Sequence, residues 1–359
     1  MAKRILNVVI GKYDIRGTQL GKSFMAYVPS FKYMMEYAKH SQSELDVQLR
    51  GKEINIYYEG GSLLKLSGSS TLKFDENYFY QPSGNFMRMT DIERLCHSNY
   101  AVEAKKSKFL KSKTDEELSE YRNNAQDILK DIRNKRDAII SKLKNANTFG
   151  EVKEIIDYMK DVMHSWKICL KNNGIRKDVV NERVVQHYLS LYNKDSEQGN
   201  QFIVLDLEYA ISTNARYAKD IEREKQPRID IVAIEKSTGQ LYVMELKYGM
   251  KSVEGDASAS KHYQDYLQTV GNDQKWPYFV SDVQKLLKAK QERGIIDNSI
   301  SIKDSKPIFS FIMKCEQLSD IADFKKHLKD NNLAHVPTIY LKPEQDYSYP
   351  SREGHILKF

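Results

Sequence analysis

Three apolar stretches rich in β-branched residues follow one another between residues 201 and 248. Their sequences are QFIVLDLEYAIS, RIDIVAIEK and QLYVMELKY. A helical pattern precedes them from Asp178, and the order helix, strand, helix, strand follows them as far as Lys342. Three consecutive strands flanked by helices predict an α/β fold in which helices pack on a mixed sheet.

The first part of the chain has a different pattern. After a helix expected over Ser30 to His40, short strands separated by turn residues run from Leu45 to Tyr80 and end in NYFY. Thr-x-x-Glu capping boxes at Thr114 and Thr148 predict the starts of two long helices. The expected first part is a β-rich N-terminal domain for recognition or regulation at residues 1–113. A helical connector at 114–177 and an α/β domain at 178–359 follow it.

Composition excludes several classes of protein. Apolar residues make up 40% and charged residues 29% of the chain, which is typical of a globular protein. The formal net charge of +7 suits a polyanionic partner. Three widely spaced cysteines disfavour a zinc site or a disulfide framework, and no apolar run reaches the ~20 residues of a membrane span. We therefore expect a cytoplasmic protein that does not contact a membrane.

Asp230, Glu245 and Lys247 carry the strongest chemical signal. Glu245 and Lys247 alternate with apolar residues in one strand, so they point to the same face. A loop of two or four residues around 237–240 would pair residues whose numbers add up to 477, which places Asp230 opposite Lys247. Mg²⁺ would compensate the two acids through Asp230, Glu245 and the Leu246 backbone carbonyl. This is the chemistry of phosphodiester hydrolysis, with Lys247 positioning the attacking water.

These residues resemble the PD-(D/E)xK nuclease superfamily. Asp230 matches its first motif acid, and Glu-Leu-Lys at 245–247 matches its ExK element. The resemblance implies a restriction-endonuclease-like αβββαβ core with a mixed sheet, joined here to a β-rich N-terminal region and long helices. Pro227 lies three positions before Asp230, whereas the family's proline is adjacent to its acid, and the likeness covers about residues 178–342.

The same resemblance implies roles for neighbouring residues. Glu182 looks like the glutamate that many members carry on the first core helix, and Glu208 on the first strand is the other candidate for that role. His262 and Tyr266 have the spacing of the family's Gln-x-x-x-Tyr pair, with histidine in place of glutamine. The expected nucleic-acid-binding residues are His262, Tyr266, Lys251 and Lys261.

The implied activity is that of a Mg²⁺-dependent deoxyribonuclease, with endonuclease or exonuclease action left open, in which Mn²⁺ can replace Mg²⁺ and which acts in defence, restriction or repair. DNA is the implied substrate, RNA is left open, and a homodimer is implied because many nucleases of this fold are dimers. Catalysis is expected from Asp230, Glu245, Lys247 and Glu182.

Three alternatives remain open at the level of sequence. An inactive nuclease-fold protein could bind nucleic acid or a protein partner without cutting. The N-terminal domain could sense a ligand or a partner and switch the nuclease. Asp230 and Lys247 could also form a plain cross-strand ion pair.

Overall fold

A computed structural model describes most of the chain as a mixed α/β structure with two β-sheets, one of which contains both parallel and antiparallel strands. The described residues are 30–41, 44–50, 53–67, 71–80, 88–172, 182–194, 199–211, 228–254, 258–292, 294–343 and 353–359. Within these ranges, no helix combines the length and the apolar character needed to cross a membrane.

The helices and strands are numbered in chain order. The helices are α1 Phe31–His40, α2 Met89–Cys96, α3 Tyr100–Ala104, α4 Asp115–Asn145, α5 Phe149–Asn172, α6 Glu182–Tyr192, α7 Ala259–Gln268, α8 Trp276–Glu292 and α9 Asp320–Asp330. The strands are β1 Leu45–Arg50, β2 Glu53–Tyr58, β3 Gly61–Ser67, β4 Thr71–Lys73, β5 Phe202–Ala210, β6 Arg228–Glu235, β7 Leu241–Tyr248, β8 Ile308–Lys314 and β9 Thr338–Leu341.

The described residues fall into two compact units. One unit combines those within 38–61 and 180–359, and the other combines those within 23–37 and 62–179. The antiparallel hairpin of β1 and β2 therefore belongs to the same unit as the C-terminal half of the chain. The division into three domains that the sequence indicated stays a prediction.

The C-terminal sheet has the strand order β5-β6-β7-β8-β9. Strands β5, β6 and β7 are antiparallel neighbours, whereas β8 runs parallel to β7 and β9 runs parallel to β8. The connection from β7 to β8 contains helices α7 and α8, as a parallel crossover requires. The sheet is therefore mixed, as the sequence predicted.

Apolar clusters cover both faces of this sheet. On one face, Val185 of α6 packs with Met244 of β7. On the other face, Phe279 of α8 and Phe324 of α9 pack with Val243 of β7. The alternation of side chains along β7 thus gives each face its own core, and charged residues of β7 interrupt the second cluster only near the end of the strand.

In the second unit, the capping boxes at Thr114 and Thr148 are confirmed. The hydroxyl of each threonine accepts a hydrogen bond from the amide of the glutamate three residues later, and each glutamate accepts one from the threonine amide. The segment NYFY, expected as a strand, is instead the 3-10 turn Glu76–Phe79, because the Asp75 carboxylate caps the amide of Asn77. That expectation was wrong.

Candidate active site

The hairpin of β6 and β7 carries the acidic and basic residues that the sequence singled out. Its loop consists of residues 236–239, because the Glu235 amide donates to the Gln240 carbonyl at 2.9 Å. The loop ends at Gly239, whose φ of 72° is open to glycine and strained for other residues. The loop has four residues, one of the two expected lengths, but it begins one residue earlier than expected.

This earlier loop changes the strand register. Paired residues add up to 475, and the ladder ends at Ile231 and Met244. The expected register, which placed Asp230 opposite Lys247, is therefore wrong by two residues. Beyond the last pair, the Leu246 amide donates instead to Oδ2 of Asp230 at 2.9 Å. The Asp230 side chain thus continues the contact between the strands and lies against the end of β7.

Glu245 and Lys247 lie two residues apart on β7 and contact each other. Nζ of Lys247 lies 2.9 Å from Oε1 of Glu245, and the two residues are 2% and 5% exposed, respectively. Nδ1 of His262, on α7, lies 3.1 Å from the same oxygen, and its side chain is 26% exposed. The carboxyl group of Glu245 is therefore buried, and His262 connects it to the more accessible side of the site.

Burial and neighbouring carboxylates raise the pKa values of the two acids. Burial, reinforced by the charge of Glu182, raises the pKa of Asp230 to about 6, although the Leu246 amide and Lys247 oppose the rise. Burial and the charge of Asp230 likewise raise the pKa of Glu245. Each of the two carboxyl groups thus affects the pKa of the other. A shared proton or a bound cation therefore stabilises this pair.

Glu182 and Glu208, the two candidates for an assisting acid, occupy different places. The charge of Glu182 acts on both Asp230 and Glu245. Burial raises the pKa of Glu182, Lys247 opposes this, and Glu208 adds to it. Glu182 is thus the candidate whose charge reaches both Asp230 and Glu245, whereas Glu208 acts on Glu182.

The other residues expected to bind nucleic acid lie outside this group. The Tyr266 hydroxyl donates to the Pro307 carbonyl at 2.7 Å, and its ring packs against Phe309 in the core. Lys251 and Lys261 are exposed, the first on a 3-10 turn and the second on α7. A nucleic-acid-binding role for these residues stays a prediction.

The donor set matches a hard divalent cation in part. In the portion of the chain that the structure describes, no group of three or more His, Cys, Asp or Glu residues is arranged to hold a metal ion. Mg²⁺, however, is commonly bound by one or two carboxylates together with waters and substrate phosphates. The adjacent carboxyl groups of Asp230 and Glu245 fit that pattern, whereas the Leu246 carbonyl stays a predicted ligand.

Sequence reasoning missed two features of the site. It assigned His262 to nucleic-acid binding and did not foresee the contact with Glu245, which depends on how α7 packs across β7. It also passed over Arg228, although this residue lies only two positions before Asp230 at the start of β6. The spacing of two residues was the available signal, because residues two apart in a strand point to the same face.

Comparisons of the chain with models of protein families, with curated proteins and with solved structures find no match.

Proposed function

We propose that this protein is a metal-dependent nuclease that hydrolyses phosphodiester bonds, with DNA as the substrate. One observation carries the proposal: at the end of the β6–β7 hairpin, Asp230 accepts from the Leu246 amide at 2.9 Å while the neighbouring Glu245 accepts from Lys247 at 2.9 Å, which brings both acids and the lysine together. Glu245 is buried and Asp230 is half-buried, and the pKa values of both are raised, so a cation bound by the two carboxylates would stabilise their charged forms.

The order of elements supports the same proposal. Helix α6, strands β5 to β7, helices α7 and α8 and strand β8 follow one another, and β8 runs parallel to β7. Apart from the additional helix α8, this is the order that the resemblance to the PD-(D/E)xK superfamily implies for its restriction-endonuclease-like core. Within it, the residues of the motif lie at the end of the β6–β7 hairpin, and Glu182 lies at the start of α6.

Each side chain then has a role that its surroundings allow. Asp230 and Glu245 would hold Mg²⁺ or Mn²⁺, which supplies Lewis acidity and charge neutralisation when bound. Lys247 donates to Glu245 and would orient the attacking water and counter the charge that develops on the phosphate. The pKa of Glu182 is raised above that of an ordinary glutamate, so its carboxyl group exchanges protons closer to neutral pH. Glu182 would therefore assist as a proton acceptor or donor.

The test is cleavage of three substrates by the full chain. Supercoiled plasmid, single-stranded DNA and RNA are each incubated with Mg²⁺, with Mn²⁺ or with EDTA. We expect cutting of plasmid DNA that requires the metal, and conversion to nicked or linear plasmid would indicate an endonuclease. RNA cleavage with intact DNA would reassign the substrate. Binding without cutting under all conditions would favour the alternative of an inactive nuclease-fold protein.

The predicted homodimer is tested separately, by measuring the molecular mass of the full chain with analytical sedimentation.

A further inference from the structure

Glu208 has a strained backbone in the middle of a strand. Its φ is +45°, a region that residues with a side chain rarely occupy. The strain interrupts the alternation of β5, because Leu207 packs in one core cluster and Tyr209 in the other, although they are two residues apart. Strain of this kind persists only where the surrounding structure imposes it, and it is common at functional sites.

Two arginines from different elements converge on this strained residue. Nε of Arg183, on α6, lies 3.8 Å from Oε1 of Glu208, and Nη1 of Arg228, on β6, lies 4.0 Å from Oε2. The arginine side chains are 72% and 66% exposed, whereas Glu208 is 33% exposed. Each arginine therefore contacts the carboxylate loosely and presents most of its guanidinium group to solvent.

The arginines lie beside the proposed catalytic acids. Arg183 follows Glu182 directly on α6, and Arg228 precedes Asp230 by two residues on β6. The charge of Glu208 also acts on Glu182. A phosphodiester that reached Asp230 would bring the neighbouring backbone phosphates of its strand close to the ends of α6 and β6 that carry these arginines.

We propose that Arg183 and Arg228 form a phosphate clamp, which pairs with Glu208 in the free protein and with a backbone phosphate of the nucleic acid in the complex. The inference rests on the proposed function and extends it from the scissile phosphate to its neighbour. A planar guanidinium group is well suited to phosphate, with which it forms two parallel hydrogen bonds. Exposed ion pairs as long as those with Glu208 contribute little, so exchange onto phosphate costs little.

The clamp predicts a specific change in the salt dependence of binding. Binding of a fluorescein-labelled DNA duplex is measured by anisotropy in EDTA, where no cutting interferes, over a series of salt concentrations. Each phosphate contact that is lost reduces the slope of log K against log salt by about 1. Because the clamp holds one phosphate, we expect the double variant Arg183→Ala/Arg228→Ala to lose about one from the slope and to bind roughly tenfold more weakly at 0.1 M salt.

A control separates a clamp from overall charge. Arg133→Ala/Lys326→Ala also removes two exposed cations that contact carboxylates, Arg133 with Glu76 at 3.6 Å and Lys326 with Asp330 at 2.7 Å. We expect this control to bind like the wild type. Arg183→Lys/Arg228→Lys keeps both charges, so it should keep most of the slope while losing part of the affinity.

Removal of the competing carboxylate should have the opposite effect. Glu208→Gln frees both arginines, so we expect binding severalfold tighter than wild type, whereas Glu120→Gln removes an exposed acid of α4 and should change little. This gain would be hard to explain by misfolding of the variant, and circular dichroism spectra of all variants confirm the fold.

The clamp and the nuclease fail in different ways. The same anisotropy series is measured with labelled single-stranded RNA. An unchanged slope in the double alanine variant with both nucleic acids, an equal loss in the control, or a wild type that binds neither nucleic acid would each overturn the clamp. If the slopes change as expected while no substrate is ever cut, the clamp stands and the hydrolytic function falls. The same slope changes with single-stranded RNA but not with duplex DNA would support the clamp and identify RNA as its partner.

Discussion

The ammonium group of Lys247 lies 2.9 Å from Oε1 of Glu245, and both side chains are almost fully buried. This single ammonium group faces more than one acid, because Asp230 and Glu182 act on Glu245 as well. Negative charge is therefore in excess at the end of the β6–β7 hairpin, and that excess has consequences for stability as well as for catalysis.

The raised pKa of Asp230 predicts how stability depends on pH. Its value of about 6 in the folded protein exceeds the usual 3.8, so the folded state binds more protons than the unfolded state between these pH values. The free energy of unfolding should therefore fall as the pH rises through this window. Asp230→Asn should be more stable than wild type at pH 7.5 in EDTA, by about 1–2 kcal/mol, and equal to it near pH 4.

Urea denaturation at the two pH values checks this prediction. Glu120→Gln, which alters an exposed glutamate of α4, serves as the control and should match wild type at both. A difference between Asp230→Asn and wild type that does not change with pH would contradict a raised pKa.

Removal of the buried ammonium group should have the reverse effect on stability. Lys247→Met leaves Glu245 buried beside Asp230 without its partner, which should cost about 3 kcal/mol at pH 7.5. The loss should shrink at pH 5, where Glu245 is protonated more readily, and millimolar Mg²⁺ should recover part of it. Lys326→Met, at a side chain that is 76% exposed, should cost less than 1 kcal/mol. Equal losses in the two variants, measured by urea denaturation, would refute the prediction.

His262 should position Glu245 through a hydrogen bond. Its Nδ1 lies 3.1 Å from Oε1 of Glu245, so alanine removes the contact, whereas glutamine retains a donor. We expect His262→Ala to reduce the single-turnover cleavage rate about tenfold and His262→Gln to retain most of it. Equal impairment of both variants would instead indicate a role that only an imidazole can perform.

A buried polar cluster should join the N-terminal hairpin to the rest of its unit. Gln48 of β1 donates to Oδ2 of Asp46 at 2.9 Å and to Ser190 of α6 at 2.7 Å, and it accepts from the buried Lys290 of α8 at 3.2 Å. Burial alone would raise the pKa of Asp46, but the charges of Lys194 and Lys290 and the hydrogen bond from Gln48 hold this pKa below its usual range.

Asp46→Ala should therefore destabilise the protein by about 3 kcal/mol, because it leaves buried ammonium groups without this carboxylate. Asp330→Ala removes an aspartate that is 55% exposed and paired with Lys326, and it should cost less than 1 kcal/mol. If urea denaturation gave Asp46→Ala the same free energy of unfolding as the wild type, contacts other than this cluster would hold the β1–β2 hairpin in place.

Residues that act through local pattern could be predicted from the sequence. The period-2 alternation of β7 placed Glu245 and Lys247 on one face, and the capping boxes placed the starts of the two long helices correctly. The register was two residues off because the loop ends at Gly239, whereas the expected loop was centred one residue later.

Other features depend on tertiary structure or were overlooked. The contact of His262 with Glu245 and the strain at Glu208 depend on how separate elements pack, and no local pattern encodes them. Helix α8 was missed although its sequence carried the signal: buried residues recur at helical spacing, namely Phe279, Val280, Val283, Leu286 and Leu287.

The central claim is that the side chains of Asp230 and Lys247 carry phosphodiester hydrolysis. It is tested most directly by the single-turnover rate at which the full chain cleaves a labelled DNA duplex in Mg²⁺, compared with Asp230→Asn and Lys247→Met. We expect a loss of about 10³-fold or more in each variant, with Glu120→Gln and Lys326→Met at the wild-type rate. Cleavage by both site variants at the wild-type rate would contradict it.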